Sequence, residues 1–161
     1  VLEFISGRLA VVMRENGFSS AVVKAVLLEL GDDPTRAAQS AAGLQQAMQA
    51  GDWPDLLNAY ARCERITRNL EEQFELRPAD FALNAEKMLF AAYEEAAAKA
   101  DGTLPSFIVS LRQMVPAISR FFEDVLVMDD DQRIRENRLA LLQHIANMTK
   151  GIADLSQLPG F

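Results

Sequence analysis

Two side chains of this sequence have the chemistry of a nucleophile and its base: Cys63 and His144, the one cysteine and the one histidine of the chain. Nucleophilic catalysis needs an activated thiol, hydroxyl or amine beside a base, usually with a third group that orients the base. Each of these two residues falls within an apolar stripe of a predicted helix, which is the pattern of a residue in a packed core. The sequence therefore predicts no catalytic residue.

Metal and phosphate sites need residue sets that this sequence lacks. One cysteine and one histidine cannot supply the ligands of a zinc site, and the eight glycines form no glycine-rich loop before a helix. The acidic run 129–131 fits the start of the last predicted helix, where carboxylates stabilise the positive end of the helix dipole. We therefore expect neither a metal nor a cofactor in this domain.

Arginine supplies twelve of the sixteen basic residues, and a first cluster lies in the fourth predicted helix. When successive residues are placed about 100° apart, Arg62, Arg65 and Arg68 centre on the side opposite an apolar stripe. Two interpretations are open: a solvated face with ion pairs such as Glu64 with Arg68, or a cationic surface that binds a ligand. The residues of the stripe are Leu56, Tyr60, Cys63, Thr67, Leu70 and Phe74.

A second cluster lies in the last predicted helix, where Arg138 falls in the middle of the apolar stripe. A buried guanidinium must be paired, because an unpaired charge in the core is too costly. We therefore predict that Arg138 is a structural clamp with a carboxylate from the preceding segment, Asp124 first. Arg135 lies at the edge of the stripe, where Asp131 can reach it, and is the better candidate for contacting a ligand.

Glycine, proline and aspartate divide the chain into six or seven segments of helical periodicity, and no segment alternates with the period of a strand. This pattern predicts an all-α bundle of about six to seven helices. Pro116 either kinks the sixth helix or divides it, because proline cannot donate the backbone hydrogen bond there. The predicted segments are approximately 2–16, 20–30, 34–50, 53–73, 81–100, 105–125 and 132–150.

The chain has 161 residues, a formal net charge of −7 and 50% hydrophobic residues, a composition typical of one globular domain. No stretch approaches the length of apolar sequence that crosses a membrane. The chain opens on Val1 without a basic-then-apolar leader, so we expect a fragment of a longer polypeptide without a secretory signal. The lone thiol indicates a reducing cytoplasm.

Residues 121–142 carry a specific pattern: a double phenylalanine, a Val-Met-acid run and an Asn-Arg-Leu triplet. This segment resembles the C-terminal anticodon-binding domain of the bacterial-type glycyl-tRNA synthetase beta subunit. That domain belongs to the group named after the tetrad Asp-Ala-Leu-Arg (DALR), whose core survives here as Asp131, Ile134-Arg135 and Arg138-Leu139. Segments near both ends also resemble the family, so the likeness spans 1–161. The arginyl-tRNA synthetase domain of the same group is the alternative.

The resemblance implies that 1–161 is a single DALR-like anticodon-binding domain, the C-terminal fragment of a longer synthetase beta chain. In that family the alpha subunit activates glycine with ATP and magnesium, and the two subunits form a heterotetramer. This domain would then bind the anticodon of glycine tRNA, without chemistry of its own and with neither a membrane nor DNA as partner. The candidate tRNA-binding residues are Arg62, Arg65, Arg68, Arg135 and Asn137.

An RNA partner calls for positive charge, and the net charge of −7 has the opposite sign. The charge is unevenly distributed, however. Residues 71–101 hold eight acids against three basic residues, whereas residues 60–69 hold three arginines against one glutamate. Much of the acidity can therefore face away from an RNA. A helical docking or scaffold module without RNA contact remains the alternative from a different class.

Phe121 and Phe122 allow two uses. Aromatic rings stack on the unpaired bases of single-stranded RNA, and they also fill cores. The sequence favours core packing for this pair.

Overall fold

The computed structural model describes the backbone of residues 1–161 and every side chain except that of Leu2. This described part contains seven α-helices, three short 3₁₀ turns and no strand. The expectation of an all-α bundle of six to seven helices is confirmed. The helices are α1 Leu2–Glu15, α2 Ser20–Leu30, α3 Pro34–Met48, α4 Trp53–Thr67, α5 Asn84–Lys99, α6 Leu104–Asp124 and α7 Gln132–Ala146, and the 3₁₀ turns are Pro78–Asp80, Asn147–Thr149 and Leu155–Gln157.

Local capping chemistry sets most of the helix starts. The Ser19 hydroxyl accepts the N–H of the third residue of α2, and the Asp33 carboxylate does the same for α3, where Pro34 occupies the first turn. Thr103 caps α6 in this manner. Such side chains satisfy backbone donors that have no partner inside the helix. Gly17, at φ 94°, follows α1 in a conformation that glycine adopts without strain.

The fourth helix is shorter than predicted. It ends at Thr67 rather than near Gln73, and residues 68–77 continue without regular structure along α7. The Phe74 N–H donates to Gln143 at 2.9 Å, and the Arg77 N–H donates to Asn137 at 2.7 Å. Because α7 side chains take over these backbone groups, the segment keeps its apolar contacts with the core without being helical.

The sixth helix is continuous from Leu104 to Asp124, with Pro116 inside it, so the proline does not divide it into two helices. Pro116 itself is exposed. The lost backbone hydrogen bond therefore faces solvent, where water can replace it.

The core lies between α4, α6 and α7, with α5 packed on α6 and the α2–α3 pair closing one side. The Tyr60 hydroxyl fixes the register of α4 on α7, because it donates to the Ala146 carbonyl at 2.8 Å and lies 2.8 Å from the Thr149 hydroxyl. The inner stripe of α4 is thus held against α7, and its other side faces outwards. No helix of the described residues combines the length and apolarity that a membrane span needs.

Candidate nucleic-acid interface

The outward side of α4 follows from the burial of its inner side. Leu56, Tyr60, Cys63 and Thr67 are all buried, as the predicted stripe requires. Since a helix turns once every 3.6 residues, the side chains opposite this stripe point away from the core. Arg65 and Arg68 are exposed and Arg62 is half-buried. We call Arg62, Arg65 and Arg68 the arginine face of α4.

Arg62 rests on an aromatic ring. The centre of its guanidinium lies 4.3 Å from the centroid of the Phe122 ring, within the range of a cation–π contact. Phe122 is half-buried at the end of α6 and meets the fully buried Phe121 edge-on. Core packing, favoured from the sequence, is confirmed for Phe121. Phe122 also packs against the core, half-buried, and Arg62 lies over its ring.

Arg65 has a similar partner from a distant part of the chain. Its guanidinium lies 5.3 Å from the centroid of the Phe161 ring, which also packs on the Tyr60 ring at 6.4 Å. Sequence reasoning missed Phe161. No helical spacing connects it with α4, because only the return of the segment after α7 brings the two together. Two of the three arginines therefore lie over aromatic rings.

Arg68 is the least engaged of the three. Its partner is Glu64, as the spacing predicts, but their charged atoms lie 3.9 Å apart, at the limit of an ion pair. One Glu64 carboxylate oxygen is buried without a hydrogen-bond partner. This burial raises the pKa of Glu64, while Arg68 opposes the shift. The Arg68 guanidinium therefore keeps most of its donors available to another molecule.

Arg138 lies in the interior, as the apolar stripe of α7 predicts, and only 6% of the residue is exposed. Its Nε donates to the Glu86 carboxylate at 2.5 Å. Its NH1 group donates to the Leu126 carbonyl at 2.7 Å and to the Asp129 carboxylate at 3.1 Å. We call these four residues the Arg138 clamp.

The preceding loop supplies a carboxylate to Arg138, as predicted, but it is that of Asp129, and the first candidate, Asp124, is wrong. The helix α6 continues to Asp124, whose side chain therefore pairs with Arg120 one turn earlier on the same helix, at 2.5 Å. The principal partner is Glu86, 52 residues before Arg138 along the chain. Glu86 lies on α5, and the sequence predicted no contact between α5 and the last helix.

Glu86 is suited to its place in the core, where it is 2% exposed. One carboxylate oxygen binds Arg138, and the other accepts the N–H groups of Ala82 and Leu83 at 3.0 and 2.8 Å. The same carboxylate therefore satisfies free donors at the start of α5 and neutralises a buried cation. A buried ion pair is tolerated in this way only when its remaining hydrogen-bonding positions are filled.

Asp129 is the solvent-side member of the clamp. Its carboxylate accepts the N–H of Asp131, and this bond, with the nearby Arg138 charge, holds the pKa of Asp129 below its usual value. Asp129 therefore stays ionised at neutral pH and adds to the charge balance around the Arg138 guanidinium.

The predicted pair of Asp131 with Arg135 is wrong. The Asp131 carboxylate accepts the N–H groups of Arg133 and Ile134 and so caps α7, the role that the acidic run suggests for this position. Arg135, which is half-buried, donates to the main-chain carbonyl of Asp129 at 2.7 Å. Arg135 thus braces the segment between α6 and α7, and its other donors remain a candidate contact.

Asn137 is unsuited to the role of a tRNA contact that the sequence assigned to it. It is 3% exposed. Its amide group pairs with both main-chain groups of Arg77, accepting from the N–H at 2.7 Å and donating to the carbonyl at 2.9 Å. Asn137 therefore holds the 68–77 segment to α7, and its donor and acceptor are directed at that backbone rather than at a ligand.

Cys63 and His144 have structural surroundings. Burial of Cys63 raises the pKa of its thiol to about 12, so no thiolate is available at neutral pH. The Nδ1 atom of His144 lies 2.8 Å from the Ala140 carbonyl one turn earlier, and its ring meets Tyr93 edge-on. Each group is thus engaged by its own helix or by packing.

The sequence-predicted residues divide into two regions. Arg62, Arg65 and Arg68 lie together on the outer side of α4. Arg138 and Asn137 hold α7 to its neighbours, Asp131 caps α7, and Arg135 lies at the start of the same helix. The first region offers accessible guanidinium groups next to aromatic rings, an arrangement that suits phosphates and unpaired bases. The second region has most of its polar groups filled by the protein itself.

Comparison with protein families gives the type of domain that the sequence resembles. The family model described as the DALR anticodon binding domain matches residues 56–155, which include α4 to α7 except for the first three residues of α4. Residues 1–55, with α1 to α3, lie outside that match. The arginine face and the Arg138 clamp both lie within it.

Curated relatives match the whole chain. It is 34% identical over 165 residues to glycine–tRNA ligase, chloroplastic/mitochondrial 2, of Arabidopsis thaliana, which covers 100% of this chain and 16% of the relative. It is 30% identical over 164 residues to the glycine–tRNA ligase beta subunit of Desulfatibacillum aliphaticivorans, covering 98% and 24%. The Moorella thermoacetica beta subunit is 32% identical over 163 residues, covering 98% and 24%. The chain thus spans a quarter or less of the length of these relatives.

Proposed function

Because the chain belongs to the DALR anticodon binding domain family, we propose that it recognises the anticodon of glycine tRNA as part of a glycine–tRNA ligase. The observation that carries this proposal is the arginine face of α4, where two guanidinium groups lie over the rings of Phe122 and Phe161 and Arg68 has only a long ion pair. The relatives reported above are glycine–tRNA ligases, which favours glycine over arginine tRNA.

The chemistry of this face fits an anticodon. Single-stranded bases are recognised by stacking and by hydrogen bonds to their exposed edges. Glycine anticodons end in two cytosines, whose edges carry two acceptors beside an amino donor. The arginine guanidinium groups can donate to those acceptors or to phosphates. A guanidinium plane that rests on an aromatic ring can also stack on an unpaired base with its other face. Arg135 is a further candidate contact at the start of α7.

The rest of the reaction lies outside this domain in our proposal. The domain positions glycine tRNA, and an alpha subunit activates glycine with ATP and magnesium in a heterotetramer with the beta chain. The surroundings of Cys63 and His144 support a non-catalytic role for the domain. The cytoplasmic location stays a prediction, and the name of one relative places that protein in chloroplasts and mitochondria.

The test is binding of this chain to glycine tRNA and to the same tRNA with both anticodon cytosines replaced, each across a salt series. Direct reading of these bases predicts weaker binding of the altered tRNA by at least about tenfold at every salt concentration, since each mismatched recognition contact costs about 1–3 kcal/mol. Equal affinity for both tRNAs, or no binding of either, would favour the docking module instead.

A further inference from the structure

Helix α1 carries apolar side chains on two sides, and the described residues cover only one of them. On the inner side, Met13 is buried against α2, and the Ser6 hydroxyl donates to the Gly31 carbonyl at 3.1 Å. On the outer side, the spacing of residues 4, 5, 11 and 12 places them in a second stripe along the helix. An apolar stripe on a helix normally packs against a neighbouring element, and this second stripe has none among the described residues.

The second stripe is exposed to solvent. Phe4 is 67% exposed, Ile5 43%, and Val11 and Val12 50% each. Arg8 lies between the two pairs, and its guanidinium is 5.5 Å from the Phe4 ring centroid. We call Phe4, Ile5, Val11 and Val12 the outer α1 stripe. Four exposed apolar side chains on one helix face, on both sides of a single arginine, are typical of a surface that contacts protein.

The comparisons separate this stripe from the anticodon-binding core. The DALR match begins at residue 56, after α1, α2 and α3 have ended. The glycine–tRNA ligase relatives, by contrast, match 98–100% of the chain, so their match includes the sequence of the first three helices. The apolar helix therefore belongs to what this chain has in common with long ligase chains, beyond the general anticodon-binding module.

The length of the relatives suggests what covers the stripe. The matched region makes up 16% of one relative and 24% of two others, so at least three quarters of each relative lies elsewhere. A contact inside one chain needs little apolar area, because the linkage already holds the two parts at high effective concentration. The outer α1 stripe, four side chains long, is small for a stable contact between separate copies.

We propose that the outer α1 stripe is an interdomain docking surface, covered by an apolar surface of the remainder of a longer glycine–tRNA ligase chain. The proposal depends on the proposed function for the identity of that partner. The first three helices then orient the anticodon-binding core relative to the rest of the ligase, and α1 is the side that makes the contact.

The experiment compares amide hydrogen exchange of α1 in two samples, the 161-residue chain and the complete translated product that contains it. Docking predicts that α1 exchanges at least about tenfold more slowly in the complete product, because helix opening then has to break the interdomain contact as well. The same slow exchange should be lost in a V11S/V12S variant of the complete product. Val109→Ser is the matched control, since Val109 is 53% exposed on α6 and outside the stripe.

Two results would overturn the proposal. One is equal exchange of α1 in the two samples. The other is protection of α1 in the 161-residue chain that rises with its own concentration, which would assign the stripe to a second copy. Loss of protection in V109S as well as in V11S/V12S would also count against docking, because it would reveal a general loss of stability.

A separate readout keeps this inference distinguishable from the proposed function. In the 161-residue chain, the V11S/V12S variant should discriminate between glycine tRNA and the altered anticodon to the same extent as the parent chain. Protection of α1 without anticodon discrimination would reject the function and leave docking in place. Anticodon discrimination without protection of α1 would reject the docking proposal and leave the proposed function in place.

Discussion

Arg138 on α7 and Arg65 on α4 show the same residue type in opposite surroundings. Arg138 is buried and bonded to two carboxylates and a carbonyl. Arg65 is exposed, and its one described neighbour of note is the ring of Phe161. A guanidinium whose donors are filled by the protein stabilises the fold, whereas one that lies on an aromatic ring keeps donors for a ligand. Charge alone does not separate these roles, but the partners do.

Removing the buried Arg138 cation tests the contrast between these two arginines most directly. Arg138→Met keeps most of the side-chain volume but leaves the buried Glu86 carboxylate without its counter-charge. We expect the free energy of unfolding in urea to fall by about 3–5 kcal/mol, the usual cost of breaking a buried ion pair. An unfolding curve equal to that of the parent chain would show that Arg138 is not a clamp.

Arg133→Met provides the control for this prediction. Arg133 lies on the same helix as Arg138 and forms an ion pair with Asp80 at 2.8 Å. Unlike that of Arg138, its side chain is largely exposed. Exposed pairs contribute at most about 1 kcal/mol, because water and salt screen them. A similar loss in both variants would point to a general effect of removing positive charge from α7.

Asn137→Ala should have the next largest effect. The change leaves the Arg77 N–H and carbonyl without their partners, and an unsatisfied buried group costs about 1–3 kcal/mol. We expect a loss of about 2 kcal/mol in urea unfolding and unchanged affinity for glycine tRNA under conditions where the variant is folded. Weaker tRNA binding by a folded variant would show that Asn137 does contribute to the RNA interface.

Features that depend on neighbours in sequence could be predicted. The acidic cap of α7 and the burial of Arg138 follow from local spacing and from apolar periodicity. A carboxylate from the preceding loop was predicted for Arg138, and Asp129 supplies it. The principal partner, Glu86, could not be predicted, because only the packing of α5 brings it to the guanidinium. Asp124 was nearer in sequence but belongs to the exposed side of α6, beside Arg120.

The end of α4 shows why apolar periodicity can mislead. Leu70 and Phe74 continue the spacing of the inner stripe and do pack against the core, yet the helix has already ended at Thr67. Gln143 and Asn137 of α7 bind the backbone of the following segment and replace the helical hydrogen bonds. Competition of this kind depends on tertiary contacts, as does the contact of Phe161 with Arg65, so neither is visible in local sequence.

The smallest predicted effect concerns Glu64, the ion-pair partner of Arg68 on the arginine face. Glu64 beneath Arg68 has a raised pKa because folding buries its carboxylate. Folding therefore disfavours the ionised form, and the contribution of Glu64 to stability, taken as the difference between the parent chain and Glu64→Gln, should rise as the pH falls from neutral through this pKa towards 4.5. Glu64→Gln should remove this dependence and raise the stability at pH 7 by less than about 1 kcal/mol, since solvent screens the group. Urea unfolding at pH 4 and pH 7 measures both.

A destabilised Gln variant at pH 7 would instead mean that the Arg68 ion pair outweighs the burial cost. The arginine face would then be held by internal pairing, as α7 is, and the contrast between the two regions would weaken.

The central claim is that the arginine face of α4 binds RNA, and the affinity for glycine tRNA of an R65Q/R68Q variant tests it. The matched control is R120Q/R133Q, which removes two exposed arginines elsewhere. We predict that R65Q/R68Q weakens binding by about tenfold or more and flattens the salt slope by about one to two, with the unfolding curve unchanged. The control should change affinity by less than about twofold, because its arginines lie outside the contact. Equal effects of the two variants, or none from R65Q/R68Q, would contradict the claim.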